Sequence, residues 1–133
     1  MKLLRVGPLG KEKVCALDNQ SKIRDLSSYV NDLDPDTLTL SNLSSWAKID
    51  LEKLPEINNN LRVGSCVNKP SNILCIGLNY SLHAKQTGSK LPKYPIVFNK
   101  SPDCLQGPYD PIKKSKTQEK LDYEVELALV IGK

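Results

Sequence analysis

Glu124 and Glu126, separated by one valine, are the residues of this chain whose type and spacing point most directly to chemistry. They lie in Leu121-Asp122-Tyr123-Glu124-Val125-Glu126-Leu127-Ala128-Leu129-Val130-Ile131-Gly132-Lys133. The odd positions from Leu121 to Ile131 are all apolar. The even positions open with Asp122, Glu124 and Glu126 and then turn apolar at Ala128 and Val130. This period of two predicts a strand. On a helix the two glutamates would stand roughly 200° apart, at about 100° per residue. On a strand they share a face, roughly 6.6 Å apart along the chain. Carboxylates so placed repel each other unless something positive lies between them. A hard divalent cation, Mg²⁺ or Mn²⁺, prefers such oxygen ligands. The alternative is a strand with one wet, acidic face.

The elements that must position these groups begin far upstream. Residues 2–6 and 13–17 read as short strands joined through Gly7-Pro8 and Gly10, and Ile23 to Leu26 reads as a third after a turn at Asp18-Asn19. Ser41 reads as a helix cap, with Leu43, Trp46 and Ala47 on one face and Trp46 as a core anchor. Pro55 closes this region, Glu56 to Asn60 reads as a linker, and a domain boundary is placed near residues 68–71. Asn72 to Leu78 is a continuous apolar run, as expected of a buried strand. It leads into Asn79-Tyr80-Ser81-Leu82-His83-Ala84-Lys85-Gln86-Thr87-Gly88, a polar stretch with one helical turn stopped by Gly88. Ile96-Val97-Phe98 is a further strand, and Gly107-Pro108 and Asp110-Pro111 make turns.

The totals exclude several classes. At 133 residues, 39% apolar and 26% charged, the composition is that of a globular protein of one domain, or of a small domain plus part of a larger one. The net charge of +4 is mild, and Lys113-Lys114-Ser115-Lys116 has no aromatic neighbours to stack on bases. No nucleic-acid partner is therefore expected. A solvated loop, or attraction of a small anionic substrate, accounts for the lysines. Cys15, Cys66, Cys75 and Cys104 are scattered without a C-x-x-C pair, so a thiolate zinc site has no support. No run approaches the ~20 apolar residues of a membrane span, and Met1 to Val6 runs straight into Gly7-Pro8 without a signal-peptide core. Reduced thiols in a cytoplasmic protein, with no membrane partner, are the expectation. His83 is the only histidine, and a lone histidine in a Gly- and Asn-rich turn is ordinarily a surface or locally bonded residue.

Four segments in order carry a resemblance. Ile76-Gly77-Leu78-Asn79-Tyr80 with His83-Ala84, then Pro95-Ile96-Val97-Phe98-Asn99-Lys100, then Gly107-Pro108, then residues 122–133, resemble the fumarylacetoacetate hydrolase family over residues 72–133. The N-terminal part is similar to a bacterial subgroup described as ureidoglycolate lyases or hydrolases of 2,4-dioxo sugar acids. The resemblance implies an α+β, β-rich protein. Residues 1–70 form a small N-terminal mixed domain, and residues 71–133 form the first part of a catalytic mixed β-roll, incomplete as it stands. It also implies Mg²⁺ or Mn²⁺, a homodimer for the complete protein, and cleavage of C–C bonds in small 2-oxo or 2,4-dioxo acids. By position, Glu124 and Glu126 match the family's two metal-binding glutamates and His83 its water-activating base. Histidine suits that role near neutral pH. Asn79, Tyr80 and Lys100 are candidate substrate contacts. Tyr80 could equally be a packed aromatic, and Lys100 a solvated lysine. Asp122 reads as a supporting residue rather than a ligand.

The chain also departs from the family. Many members carry a glutamate three residues after the histidine, where this chain has Gln86. Glutamine can orient the imidazole but brings no charge to stabilise an imidazolium, so a weakened base is expected. The family's third metal carboxylate lies beyond the residues corresponding to Lys133, so a cation would be weakly held. Two readings follow. One is a piece of a metal-dependent hydrolase or lyase, inactive until a complementing C-terminal half is present. The other is a degenerate, non-catalytic product that only associates with an intact relative.

Overall fold

The structure, a computed structural model, describes residues 1–133. The fold is mixed α/β and strand-rich, with two sheets and few helices. It divides into two compact units, one of residues 1–68 with 106–133 and one of residues 69–105.

In the first unit, β1 (Lys2–Val6), β2 (Lys13–Leu17), β3 (Ile23–Asp25) and β4 (Glu56–Ile57) form one antiparallel sheet in the order β1-β2-β3-β4. β2 reads Val-Cys-Ala-Leu because both of its faces are covered. Val14 and Ala16 face a core with Leu26, Val30, Leu33 and Trp46, while Cys15 joins Val6 and Ile23 on the other side. Residues 62–64 lie along the free edge of β1, with Gly7 N donating to the Arg62 carbonyl at 2.8 Å and Gly64 N to the Arg5 carbonyl at 2.7 Å. The chain therefore passes from one sheet edge at Ile57 to the other at Arg62.

The β2–β3 turn is built on Asp18, whose buried carboxylate accepts from the Gln20 and Lys22 amides at 2.8 and 2.9 Å and from Arg24 Nε at 2.8 Å. The helix α1 (Leu40–Trp46) starts earlier than the serine signal implies. Its cap is Thr39, whose hydroxyl accepts from the Asn42 amide at 3.1 Å. Of the expected apolar face only Trp46 is buried, because the helix is two turns long and meets the core through its last one. The segment expected to be a linker contributes β4, whose two residues pair with Ile23 and Arg24.

The second unit holds β5 (Ile73–Gly77), α2 (Ser81–Gln86) and β6 (Ile96–Lys100), with β5 and β6 antiparallel. The apolar run at 73–77 is not the buried strand its composition predicts. Leu74 is 66% exposed and every residue of β6 is exposed. A two-stranded ladder cannot hide its own faces. Leu78 leaves β5 at φ 51°, a left-handed conformation costly for a non-glycine residue.

The strand expected at 121–131 does not form. Residues 119–133 have neither helix nor ladder, and Tyr123, Val125, Leu127, Leu129 and Ile131 are all exposed. Alternation chooses which face a strand buries, but the strand itself needs a neighbour's ladder of amides and carbonyls, and this segment belongs to neither sheet. At its end Lys133 N donates to the Leu38 carbonyl at 2.9 Å. A Cβ on Gly132 would come within 2.3 Å of that carbonyl oxygen, so only glycine fits there.

Candidate functional site

Four of the candidate residues are local to α2 and the turn before it. Asn79 and Tyr80 precede the helix, whose first turn closes through Ala84 N to the Tyr80 carbonyl at 3.1 Å. His83 and Gln86 are three residues apart on α2 and so share a face, both exposed. Ala84 alone is buried, which fixes the helix by its opposite side. The helix ends at Thr87, whose amide and hydroxyl donate to the His83 carbonyl at 3.0 and 3.1 Å, and Gly88 then turns the chain at φ 66°. Lys100 closes β6 opposite Ile73, with its side chain in solvent.

Glu124 and Glu126 lie in the other unit, exposed, on a segment outside both sheets. Asp122 beside them accepts from the Tyr123 amide at 2.8 Å, a local contact. No group of three or more His, Cys, Asp or Glu side chains converges anywhere in the structure where a metal ion could sit. The two glutamates therefore suit a hard cation in kind but not in number, since such ions take six or more oxygen ligands and use waters for only some of them.

The structure does assemble charges that the motif reading did not single out. Arg5 donates to Asp32 through Nε at 2.5 Å and Nη2 at 3.1 Å, and its Nη2 reaches Glu12 at 3.4 Å. Arg62 Nη1 holds the other Glu12 oxygen at 2.6 Å, and its Nε and Nη2 form a fork on Asp110 at 2.8 and 2.6 Å. Burial alone would push the Glu12 carboxyl up. The Arg62 hydrogen bond, with the charges of Arg5 and Arg62, outweighs it and holds the group below its usual range. The Arg62 hydrogen bond likewise lowers Asp110, and Arg62 is raised in turn. The available signal was Arg5 itself, an arginine inside the apolar strand Leu3-Leu4-Arg5-Val6, which demands a buried partner.

Residues 72–133 match the family model described as "Fumarylacetoacetate (FAA) hydrolase C-terminal". That stretch contains every candidate residue named above, from Asn79 to Glu126. Over 132 residues, 99% of this chain, the sequence is 45% identical to proteins named "Putative hydrolase" from Burkholderia ambifaria and Burkholderia orbicola. A similarly named protein from Burkholderia multivorans is 44% identical over the same length. The chain covers 47% of each of these relatives, and so spans about half their length.

Proposed function

We propose that this chain supplies part of the active site of a divalent-metal-dependent hydrolase or lyase of the fumarylacetoacetate hydrolase family. Its substrates are small anionic 2-oxo or 2,4-dioxo acids, and the activity resembles that of a ureidoglycolate lyase. The observation that carries this reading is the match over residues 72–133, the stretch in which His83, Glu124 and Glu126 occur together. The similarity to hydrolases along the whole chain supports it.

In this reading Glu124 and Glu126 give two oxygen ligands to Mg²⁺ or Mn²⁺. The remaining ligands come from polypeptide corresponding to the half of the relatives that this chain does not span. The exposed apolar residues from Tyr123 to Ile131 become a strand when that polypeptide provides a neighbour. His83 takes a proton from water, and Gln86 on the same helical face orients the ring without adding charge. Asn79, Tyr80 and Lys100 face the substrate, with the Lys100 ammonium meeting its carboxylate. The complete protein works as a homodimer in the cytoplasm, where its cysteines stay reduced. No helix of the structure is long and apolar enough to cross a membrane.

A second reading is favoured by Gln86 and by the position of 121–131 outside both sheets: a non-catalytic chain that associates with an intact relative. One experiment separates the two. The chain is combined with polypeptide corresponding to the remaining half of the Burkholderia ambifaria protein, and cleavage of a 2,4-dioxo acid is followed by loss of its enol absorbance with and without Mn²⁺. Mn²⁺-dependent turnover that disappears in Glu124→Ala and His83→Ala supports the first reading. A stable complex without turnover supports the second.

A further inference from the structure

The alternating charges Asp32–Arg5–Glu12–Arg62–Asp110 do more than neutralise one another. They lie where the chain leaves the first unit and where it returns. On the leaving side, Asn68 Nδ2 donates to Asp32 at 2.8 Å and Asn68 N to the Leu33 carbonyl at 2.7 Å. Arg5 Nη1 also reaches the Ser65 hydroxyl at 3.2 Å. On the returning side, Asp110 receives the Arg62 fork and also accepts from the buried Gly107 amide at 2.9 Å. Gly107 is seated so closely that a Cβ would meet the Val63 carbonyl oxygen at 2.3 Å and Asp110 Oδ2 at 2.8 Å. Asn68 and Gly107 thus bracket the 69–105 unit, and both are tied to one connected set of charges rooted in β1.

We propose that this set of ion pairs is a clasp that fixes the return of the chain at Gly107–Asp110 onto the first unit, with Arg62 and Asp110 as its closing pair. Two features favour a clasp over a general contribution to core stability. The returning turn has no buried apolar side chain of its own: Pro108 and Tyr109 are exposed and Asp110 is polar. Its attachment therefore rests on the charge-assisted fork rather than on hydrophobic burial. The sheet, by contrast, has two apolar clusters that do not include Arg62 or Asp110, so it can stay folded when the clasp opens. The inference does not depend on the proposed metal site.

Amide hydrogen exchange on the full chain tests it. In Arg62→Met the Gly107 amide should exchange about tenfold faster or more, as expected of a locally opened segment. The Asp18 and Leu26 amides, bonded within the sheet to the Lys22 and Val14 carbonyls, should keep their protection. Arg62→Lys retains the charge but cannot make the fork. It should give a smaller increase at Gly107, again without change at Asp18 and Leu26. Unchanged exchange at Gly107, or acceleration of all three amides together in both variants, overturns the proposal.

Discussion

Replacing Arg5 by methionine probes the charged interior of the first unit most sharply. The side chain is only 6% exposed, and methionine roughly preserves its apolar stem while removing the guanidinium. What remains is Glu12, 3% exposed, and Asp32, 21% exposed, each without its Arg5 contact. Removing one partner of a buried pair typically costs about 3–5 kcal/mol, because the other charge stays desolvated. Here Arg62 still holds Glu12 at 2.6 Å and Asp32 is partly wet, so the lower end, about 3 kcal/mol, is the value expected. Against a total stability of about 5–15 kcal/mol this is a large loss. Urea unfolding followed by the fluorescence of Trp46, the only tryptophan and a buried one, reads it directly. With a slope of about 1–3 kcal/mol per molar, the midpoint should fall by about 1 M or more. In the Arg5→Met background, Asp32→Asn removes the stranded charge, so the double variant should be more stable than the sum of the singles by about 1 kcal/mol. A cost below about 1 kcal/mol for Arg5→Met, or additivity within about 0.5 kcal/mol, would refute this reasoning.

Other outcomes follow from the same geometry. Gly107→Ala should lower stability by about 1–3 kcal/mol, because the new methyl must displace the Val63 carbonyl or Asp110, and urea unfolding measures it. Cys15 is fully buried, and burial pushes its thiol up to about 11. A thiol reagent at pH 8 should therefore label the exposed Cys66 and Cys104 while Cys15 reacts only after unfolding, as mass spectrometry of the labelled peptides would show. Glu12, Asp18, Asp25 and Asp110 are all held below their ordinary values of 4.5 for Glu and 3.8 for Asp. The unfolded chain therefore takes up protons first. The stability these groups provide is full above about pH 6 and is lost as pH falls below those values through the folded-state ones. Urea midpoints across pH 3–7 should trace that decline, and Asp110→Asn should make it shallower.

The N-terminal half was the most legible part of the sequence. β1 and β2 have the limits that their short apolar runs and the Gly7-Pro8 and Asp18 turns imply, because both strands are local hairpin partners. β4 was not legible, since two residues cannot show a period and Ile57 pairs with a strand more than thirty residues earlier. Composition misjudged β5. Ile73 to Ile76 reads as interior, yet burial depends on a covering layer that no local pattern encodes. The segment 121–131 shows the same lesson in the reverse direction. Its pattern is the clearest strand signal in the chain, and it joins neither sheet because a ladder is a property of two segments. Of the candidate site, the turn and helix carrying Asn79, Tyr80, His83 and Gln86 could be read from the polar stretch ending at Gly88. The ion-pair clasp could not, because its members are up to 105 residues apart in sequence, from Arg5 to Asp110.

In the proposed function Glu124 and Glu126 hold a divalent cation as a pair and need further ligands from a second segment to hold it well. Mn²⁺ titration calorimetry on the 133-residue chain, alone and combined with the complementing polypeptide, tests this most directly. Binding no tighter than about millimolar is expected for the chain alone. For the combination, binding at least about tenfold tighter is expected, abolished by Glu124→Ala. Micromolar binding by the chain alone that vanishes in Glu124→Ala, or tight binding by the combination that survives that substitution, would contradict it.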